Sequence, residues 1–314
     1  MGHSVSVFQR GSTPACLPAE SILGERRDLA ALRPKADVVI DLILSSGAQA
    51  ESLMEAFRGV AGRVVAASSI DVYRACGVLH GSEDGPLDPV PLTEDSPLRT
   101  TLRTYPPAQV KMLQKLFGWL DDDYDKIPVE RAILGDPELP GTVLRLPMIY
   151  GPGDRLHRFH PVLKRIDDGR RRILFDAGWA AWRSPRGYVE NVAKALALVA
   201  VSEPAIGRVY NVAETPAFSE LEWAGKIAAA TGWDGQFVTL PRERMPAHLV
   251  QPGNSAQDWD ADSTRIRREL GYQEHVPLDE AIRRTVDWER AHPPGEFDRH
   301  RFDYAAEDAA TGSA

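Results

Sequence analysis

Apolar positions in the first half of the chain come in short runs, separated by stretches with helical spacing. His3 to Phe8 (H-S-V-S-V-F) alternates polar and apolar, as a half-buried strand does. Asp37 to Leu44 (D-V-V-I-D-L-I-L) and Arg63 to Ala67 read as buried strands, and Thr142 to Leu146 follows a Pro-Gly punctuation. Between them, Ala48 to Phe57 and Val129 to Leu134 carry helical spacing. Strands alternating with helices predict βαβ units and a parallel sheet. Cover on both faces of that sheet accounts for runs that are continuously apolar.

The stretch from Pro86 to Asp123 breaks this rhythm, being proline-rich, polar and without a clear period. A loop of such length inside a compact domain marks a lid or insertion, unless it is simply a solvated excursion. After Gly151 the pattern is mixed. Tyr188 to Val201 predicts a helix and Arg208 to Val212 a short strand. Leu221, Ala224, Ile227 and Ala228 share one face of a helix that Gly232 stops. Leu278, Ile282 and Val286 mark a last helix, which ends before Pro293-Pro294. From about Gly295 the chain is polar and small, which predicts a flexible tail over 295–314.

Composition narrows the class. With 314 residues the chain suits one large α/β domain, or a domain with a smaller appendage. Asp plus Glu number 45 against 37 Lys plus Arg, a net charge of −8, which argues against a duplex-nucleic-acid binder working by bulk charge. No apolar stretch approaches the ~20 residues of a membrane span, and the sequence as it stands opens without a basic-then-apolar signal pattern. Two cysteines, Cys16 and Cys76, cannot build a disulfide framework or a zinc cage, so a cytoplasmic location is expected. His157 and His160 lie three apart, but no third ligand is evident, and no metal is expected.

Four segments occur in an order and spacing that resemble the extended short-chain dehydrogenase/reductase superfamily, in its NAD-dependent epimerase/dehydratase group. Ser68-Ser69-Ile70-Asp71-Val72-Tyr73 is similar to the S-S-x-x-V-Y segment that closes a strand in that family. Leu144 to Asp154 resembles its R-P-x-x-V-Y-G-P-G-D stretch, Tyr210-Asn211-Val212 its Y-N-V strand, and Leu270-Gly271-Tyr272 its L-G-Y segment. The resemblance implies a Rossmann-like, doubly wound parallel sheet over residues 1–154. A smaller C-terminal α+β substrate-binding region over 155–294 would return a strand and a helix to the core.

The chain departs from that family in two places. The family opens with a strand and a G-x-x-G-x-x-G turn that lets the backbone approach the cofactor pyrophosphate at a helix N-terminus. Here Met1-Gly2-His3 already resembles the end of the helix that follows that turn. Loss of a central strand would leave unpaired backbone on both sides of a gap, at about 1–3 kcal/mol for each buried group. The expectation is therefore a truncated or misassigned start, the alternative being a sheet that re-pairs and has lost its cofactor. The second departure is catalytic. The family uses a Ser or Thr with Tyr-x-x-x-Lys, the Lys lowering the Tyr pKa and binding ribose. Ser69 stands where the family has its Ser or Thr, and Lys126 is the best Lys, but four residues before it lies Asp122. Tyr124 is nearer, two positions from Lys126, which on an ideal helix is about 200° around. If the helix begins near Pro128, Tyr124 and Lys126 lie in irregular chain and can converge; if it begins near Asp122, they cannot.

By the same resemblance, Gln9 replaces the acid that holds the adenosine ribose, and Arg10 follows it, favouring NADP over NAD because Arg pairs a 2′-phosphate. Glu25 and Arg26 fall in the adenine-side segment, and Leu42, Pro147 and Ile149 fall along the cofactor. His157, Arg158 and Arg186 are candidates for binding the substrate, a nucleotide sugar or related carbohydrate, with Arg186 favoured because Arg clamps phosphate in bidentate fashion. The leading expectation is an NAD(P)-dependent epimerase/dehydratase-type oxidoreductase, and the resemblance implies pairing into a homodimer through a helical face. Its rival is a catalytically inactive NAD(P)-binding sensor, or an RNA- or protein-binding relative, which Asp122 favours and the acidic charge weakens in its RNA form.

Overall fold

Parallel strands with helices between them build the first half of the chain, as the apolar runs predict. The computed structural model describes residues 2–11, 19–103, 105–295 and 299–312; Cys16 and part of the expected tail lie outside them. Strands β1 (Ser6–Gln9) and β2 (Glu20–Leu23) precede the short helix α1 (Leu29–Leu32). Then come β3 (Ala36–Asp41), α2 (Gly47–Phe57), β4 (Ala61–Ser69) and α3 (Arg74–His80). Helices α4 (Pro107–Leu116) and α5 (Lys126–Gly135) lead to β5 (Gly141–Leu146) and β6 (Met148–Tyr150). The second half holds α6 (His160–Asp167), β7 (Arg172–Asp176), α7 (Ala177–Ala181), β8 (Arg186–Tyr188), α8 (Val189–Val201) and β9 (Val209–Asn211). It closes with α9 (Glu220–Thr231), β10 (Gln236–Leu240), α10 (Thr264–Leu270), α11 (Leu278–Ala291) and α12 (Tyr304–Ala310).

The central sheet is parallel, in the order β3-β4-β5-β9. Alternate residues of β4 face opposite layers. Val64 and Ala66 pack with Leu53, Met54, Phe57, Val129 and Ile133 of α2 and α5, whereas Val65 packs with Val192, Ala195 and Val199 of α8. With no solvent face, no polar alternation is required, and each large aliphatic side chain so buried contributes about 1.5–3 kcal/mol. Gly141 starts β5 beneath α5; a Cβ there would lie 2.1 Å from the Ile133 carbonyl oxygen, so only glycine allows this approach.

Outside the central sheet, β1 pairs with β2, β6 with β8 and β10 with β7, all in parallel. Among the described residues β1 and β3 belong to separate sheets. The β1–β2 unit is instead tied to β3 by Arg26, which grips Asp41 with two bonds of 2.8 and 3.1 Å.

The residues behind the sequence resemblance form a buried brace across the sheet. Arg145 donates to both oxygens of Glu130 at 3.0 and 2.8 Å and to the Tyr73 hydroxyl at 2.8 Å. Ser68 donates to Glu130 at 2.6 Å, and Tyr73 donates to the Asn211 side-chain oxygen at 2.7 Å. One polar network thus ties β4, α5, β5 and β9 together.

Two expectations need correction. The Pro86 to Asp123 stretch is not wholly irregular, since it contains α4, whose Val110, Leu113 and Leu116 recur at helical spacing. The tail expected to be flexible carries α12, because Glu307 is buried and takes a charge-assisted bond of 2.5 Å from Arg165 of α6. Small polar composition predicted fraying; the buried Glu307 with Arg165, together with the Arg170–Asp308 and Tyr304–Asp168 pairs, holds the helix to the rest of the chain.

Candidate active site

The carboxyl ends of β3 and β4 meet the first turn of α5, and the side chains there converge. Helix α5 begins at Lys126, capped by Asp125, whose side chain accepts from the Ile127 amide at 2.8 Å. Pro128 sits in the first turn, where a missing N–H costs nothing. Tyr124 therefore lies in irregular chain before the helix, the arrangement in which it can approach Lys126. The Lys126 ammonium is 5.7 Å from the centre of the Tyr124 ring and 5.6 Å from that of Trp119. It donates to the Leu44 carbonyl, and at 3.2 Å to the Ala67 carbonyl.

At the centre is Asp71, only 1% exposed. Its backbone amide donates to the Ser69 hydroxyl oxygen at 3.2 Å, which fixes the turn after β4. Its Oδ2 accepts from the Tyr124 hydroxyl at 3.0 Å and from the Tyr105 hydroxyl at 3.2 Å. Oδ1 has no hydrogen-bond partner among the described residues. Arg99 supports the turn, donating to the Asp71 carbonyl at 2.6 Å and to both oxygens of Asp125 at 3.2 and 3.3 Å.

Burial sets the proton affinities. It raises the Asp71 carboxyl above the usual carboxylate range, against the pull of Arg99 and Lys126. Burial, then the Asp71 charge, pushes the Tyr124 phenol well above its ordinary value. Burial lowers the Lys126 ammonium to about 8, while Asp71 and Asp41 oppose the drop. The site thus holds a phenol that keeps its proton and a carboxyl able to carry one.

Of the residues expected from sequence, Ser69, Tyr124 and Lys126 come together through Asp71. Asp122, whose place in the motif raised the doubt, is 73% exposed and turned outward, accepting from Lys111 at 2.7 Å and Gln114 at 2.8 Å. Gln9 ends β1 and donates to Ser21 at 3.1 Å, and Arg10 is exposed just beyond it. The Glu25 backbone amide takes the Asp28 carboxylate at 3.0 Å, and Arg26 holds Asp41. Leu42, past the end of β3, is 54% exposed. Pro147 separates β5 from β6, and the Ile149 carbonyl accepts from Arg158 at 2.7 Å.

The expected substrate residues are each engaged within the fold. Arg158 also pairs with Asp154 at 2.6 Å. His157 pairs with Glu289 at 2.7 Å and stacks on Trp288 with ring centres 5.5 Å apart. Arg186 pairs with Glu220 and lies 4.9 Å over Trp223, while its Nε has no partner among the described residues. Nearby Glu214, past β9, accepts from the Tyr150 hydroxyl at 3.1 Å and the Tyr188 amide at 3.0 Å, and burial raises it to about 7.

Sequence reasoning missed Asp71, Tyr105 and Glu214. Asp71 stood inside a quoted motif, two residues after Ser69, and a carboxyl at the mouth of a strand was its signal. Tyr105 had none, lying in the stretch without period.

No protein-family model matches the chain. It is 25% identical over 191 residues to the uncharacterized protein y4nL of Sinorhizobium fredii, covering 52% of each chain. It is 28% identical over 178 residues to the uncharacterized protein YbjS of Escherichia coli, covering 50% of this chain and 52% of that one. The chain spans about half the length of these curated relatives. Among solved structures, MoeE5 in complex with UDP-glucuronic acid and NAD has a TM-score of 0.64 at 23% identity, covering 92% of both chains. A short-chain dehydrogenase/reductase superfamily protein from Agrobacterium tumefaciens with bound NAD has a TM-score of 0.63 at 17% identity, covering 92% of this chain and 90% of that one. The UDP-glucose 4-epimerase of Thermotoga maritima, solved with UDP-glucose, has a TM-score of 0.58 at 18% identity over 92% of both chains. The fold is Rossmann-like, as it is in these solved structures.

Proposed function

We propose that the chain is an NAD(P)-dependent oxidoreductase of the epimerase/dehydratase type, acting on a nucleotide sugar, with Ser69, Tyr124 and Lys126 carrying its chemistry. The supporting observation is the convergence of Tyr124 and Lys126 beside Ser69 and Asp71 at the carboxyl ends of the strands, where doubly wound sheets take their ligands. The likeness to structures solved with UDP-sugars and NAD supports the ligand class.

The residues present fit the ribose and nicotinamide half of such a cofactor. Among the described residues Lys126 donates to backbone carbonyls and lies over ring faces, contacts that ribose hydroxyls can replace, and Leu42 and Ile43 offer exposed apolar surface past β3. The glycine-rich turn that cradles a pyrophosphate is not in this sequence. When bound, the cofactor supplies or accepts hydride.

In this reading Lys126 orients the ribose, and the Ser69 hydroxyl bonds the reacting oxygen of the substrate. Tyr124 gives its proton to that oxygen as a carbonyl is reduced, with Asp71 hydrogen-bonded behind the phenol to orient it. His157, Arg158 and Arg186 face the diphosphate side, Arg186 first because its Nε is unspent.

The test is titration of the full chain with NAD and NADP, followed by UDP-glucuronic acid and UDP-glucose as probes, with nicotinamide absorbance and product chromatography as readouts. Tyr124→Phe is expected to abolish turnover and preserve cofactor binding; unchanged turnover removes Tyr124 from the mechanism. Binding without any turnover would favour a catalytically inactive NAD(P)-binding sensor or a protein- or RNA-binding relative.

A further inference from the structure

We propose that Tyr105 is a positioning residue of this site: from the root of α4 it holds the Asp71 carboxyl group on the oxygen that also takes the Tyr124 hydroxyl, so that two phenols and one carboxyl group act as a unit. The inference rests on the reading of Tyr124 given above. Three elements fix the Tyr105 ring. Its hydroxyl reaches Asp71 at 3.2 Å, its edge meets His80 of α3 with ring centres 5.3 Å apart, and the Tyr124 ring lies 6.0 Å away. Pro106 and Pro107 follow at once; their fixed φ holds the chain extended and starts α4 with proline in its first turn.

The weak packing of α4 gives this contact its weight. Among the described residues α4 is the α-helix with no buried side chain. Among its tethers are bonds from Lys111 and Gln114 to the exposed Asp122, at 2.7 and 2.8 Å, and one of 2.9 Å from Arg155 to the Leu116 carbonyl. Tyr105 before α4 and Tyr124 after it therefore clasp the two ends of the segment 105–124 on a single buried oxygen. Facing Asp71 are Arg99 on the excursion, Cys76 of α3, and Asp125 and Lys126 at the start of α5. Each phenol that donates to Oδ2 favours the ionised carboxylate, so removing either one must push the Asp71 midpoint up.

The full chain, carbon-13 labelled at aspartate carboxyls, tests this by NMR titration, the Asp71 resonance being assigned by its loss in Asp71→Asn. Tyr105→Phe keeps the ring and is expected to raise the Asp71 midpoint by about one pH unit, as Tyr124→Phe does, with a larger rise in the double variant. An unmoved midpoint in Tyr105→Phe overturns the proposal. With UDP-glucuronic acid and NAD as probes, Tyr105→Phe is expected to lower kcat about tenfold at unchanged KM and to move upward the limb of the pH profile that Asp71 sets. A kcat that falls without any movement of that limb assigns Tyr105 a merely structural role and also overturns it. If the wild-type chain turns over neither probe, the function proposed above fails, and the NMR titration alone still decides whether Tyr105 and Tyr124 share Asp71.

Discussion

Two buried polar clusters grow from the same strand and helix and are built on opposite terms. In the brace of Glu130, Arg145, Tyr73 and Asn211, both carboxylate oxygens are taken and the guanidinium is shared among an acid, a phenol and the Glu94 carbonyl. In the cluster around Asp71, one carboxylate oxygen receives two phenols and the other receives nothing. A fully satisfied network gains strength from low dielectric and defines a unique core, whereas a partly satisfied one stores proton affinity and leaves a group to spare. The first cluster is where structure is held; the second is where chemistry has room.

Substitutions can break or sharpen that contrast. The largest effect should come from the brace. Glu130→Ala leaves Arg145 buried without its acid and is expected to cost about 3–5 kcal/mol in denaturant unfolding. A loss below ~1 kcal/mol would mean the brace is no brace. Lys126→Met, in the other cluster, should lower turnover about a hundredfold, equivalent to about 2.7 kcal/mol. The burial that brings Lys126 down to about 8 favours the neutral amine in the fold. Wild-type stability should therefore rise as pH passes from about 8 toward ~10.4, and the variant should lack that rise.

Glu214 offers an intermediate case. Its carboxyl is raised to about 7, so the fold favours the protonated form. Its contribution to stability is whole below the unfolded midpoint of ~4.3 and is lost as pH rises through about 7. Glu214→Gln should match wild type at acid pH and exceed it above neutrality in thermal melts; parallel curves would show that Glu214 does not titrate in this window. Smallest of all, Lys111→Ala removes an exposed pair and should change stability by less than ~1 kcal/mol, because solvent screens both charges.

Much of the architecture was legible before any coordinates. The apolar runs marked β3, β4 and β5, and spacing found α8, α9 and α11 nearly to their ends, because a helix or strand that buries one face must repeat its apolar residues at its own period. The quoted motifs also marked real anchors, Tyr73, Arg145 and Asn211 among them. Tyr105 and α12 escaped notice for the opposite reason. Each is held by contacts to residues far off in sequence, and such contacts leave no period behind them.

Residue order alone determined the class of fold, the cover on both faces of the sheet and the candidacy of Ser69 and Lys126, since these follow from local spacing and short motifs. Tertiary structure decided the rest. Whether Tyr124 or Asp122 belongs to the site turned on where α5 starts, and that depended on Asp125 capping the helix one residue before Lys126. The proton affinities of Asp71, Tyr124 and Lys126 were likewise invisible in the letters. They arise from how much water and which charges surround each group, and only packing brings residues 71, 105, 124 and 126 into one dry space.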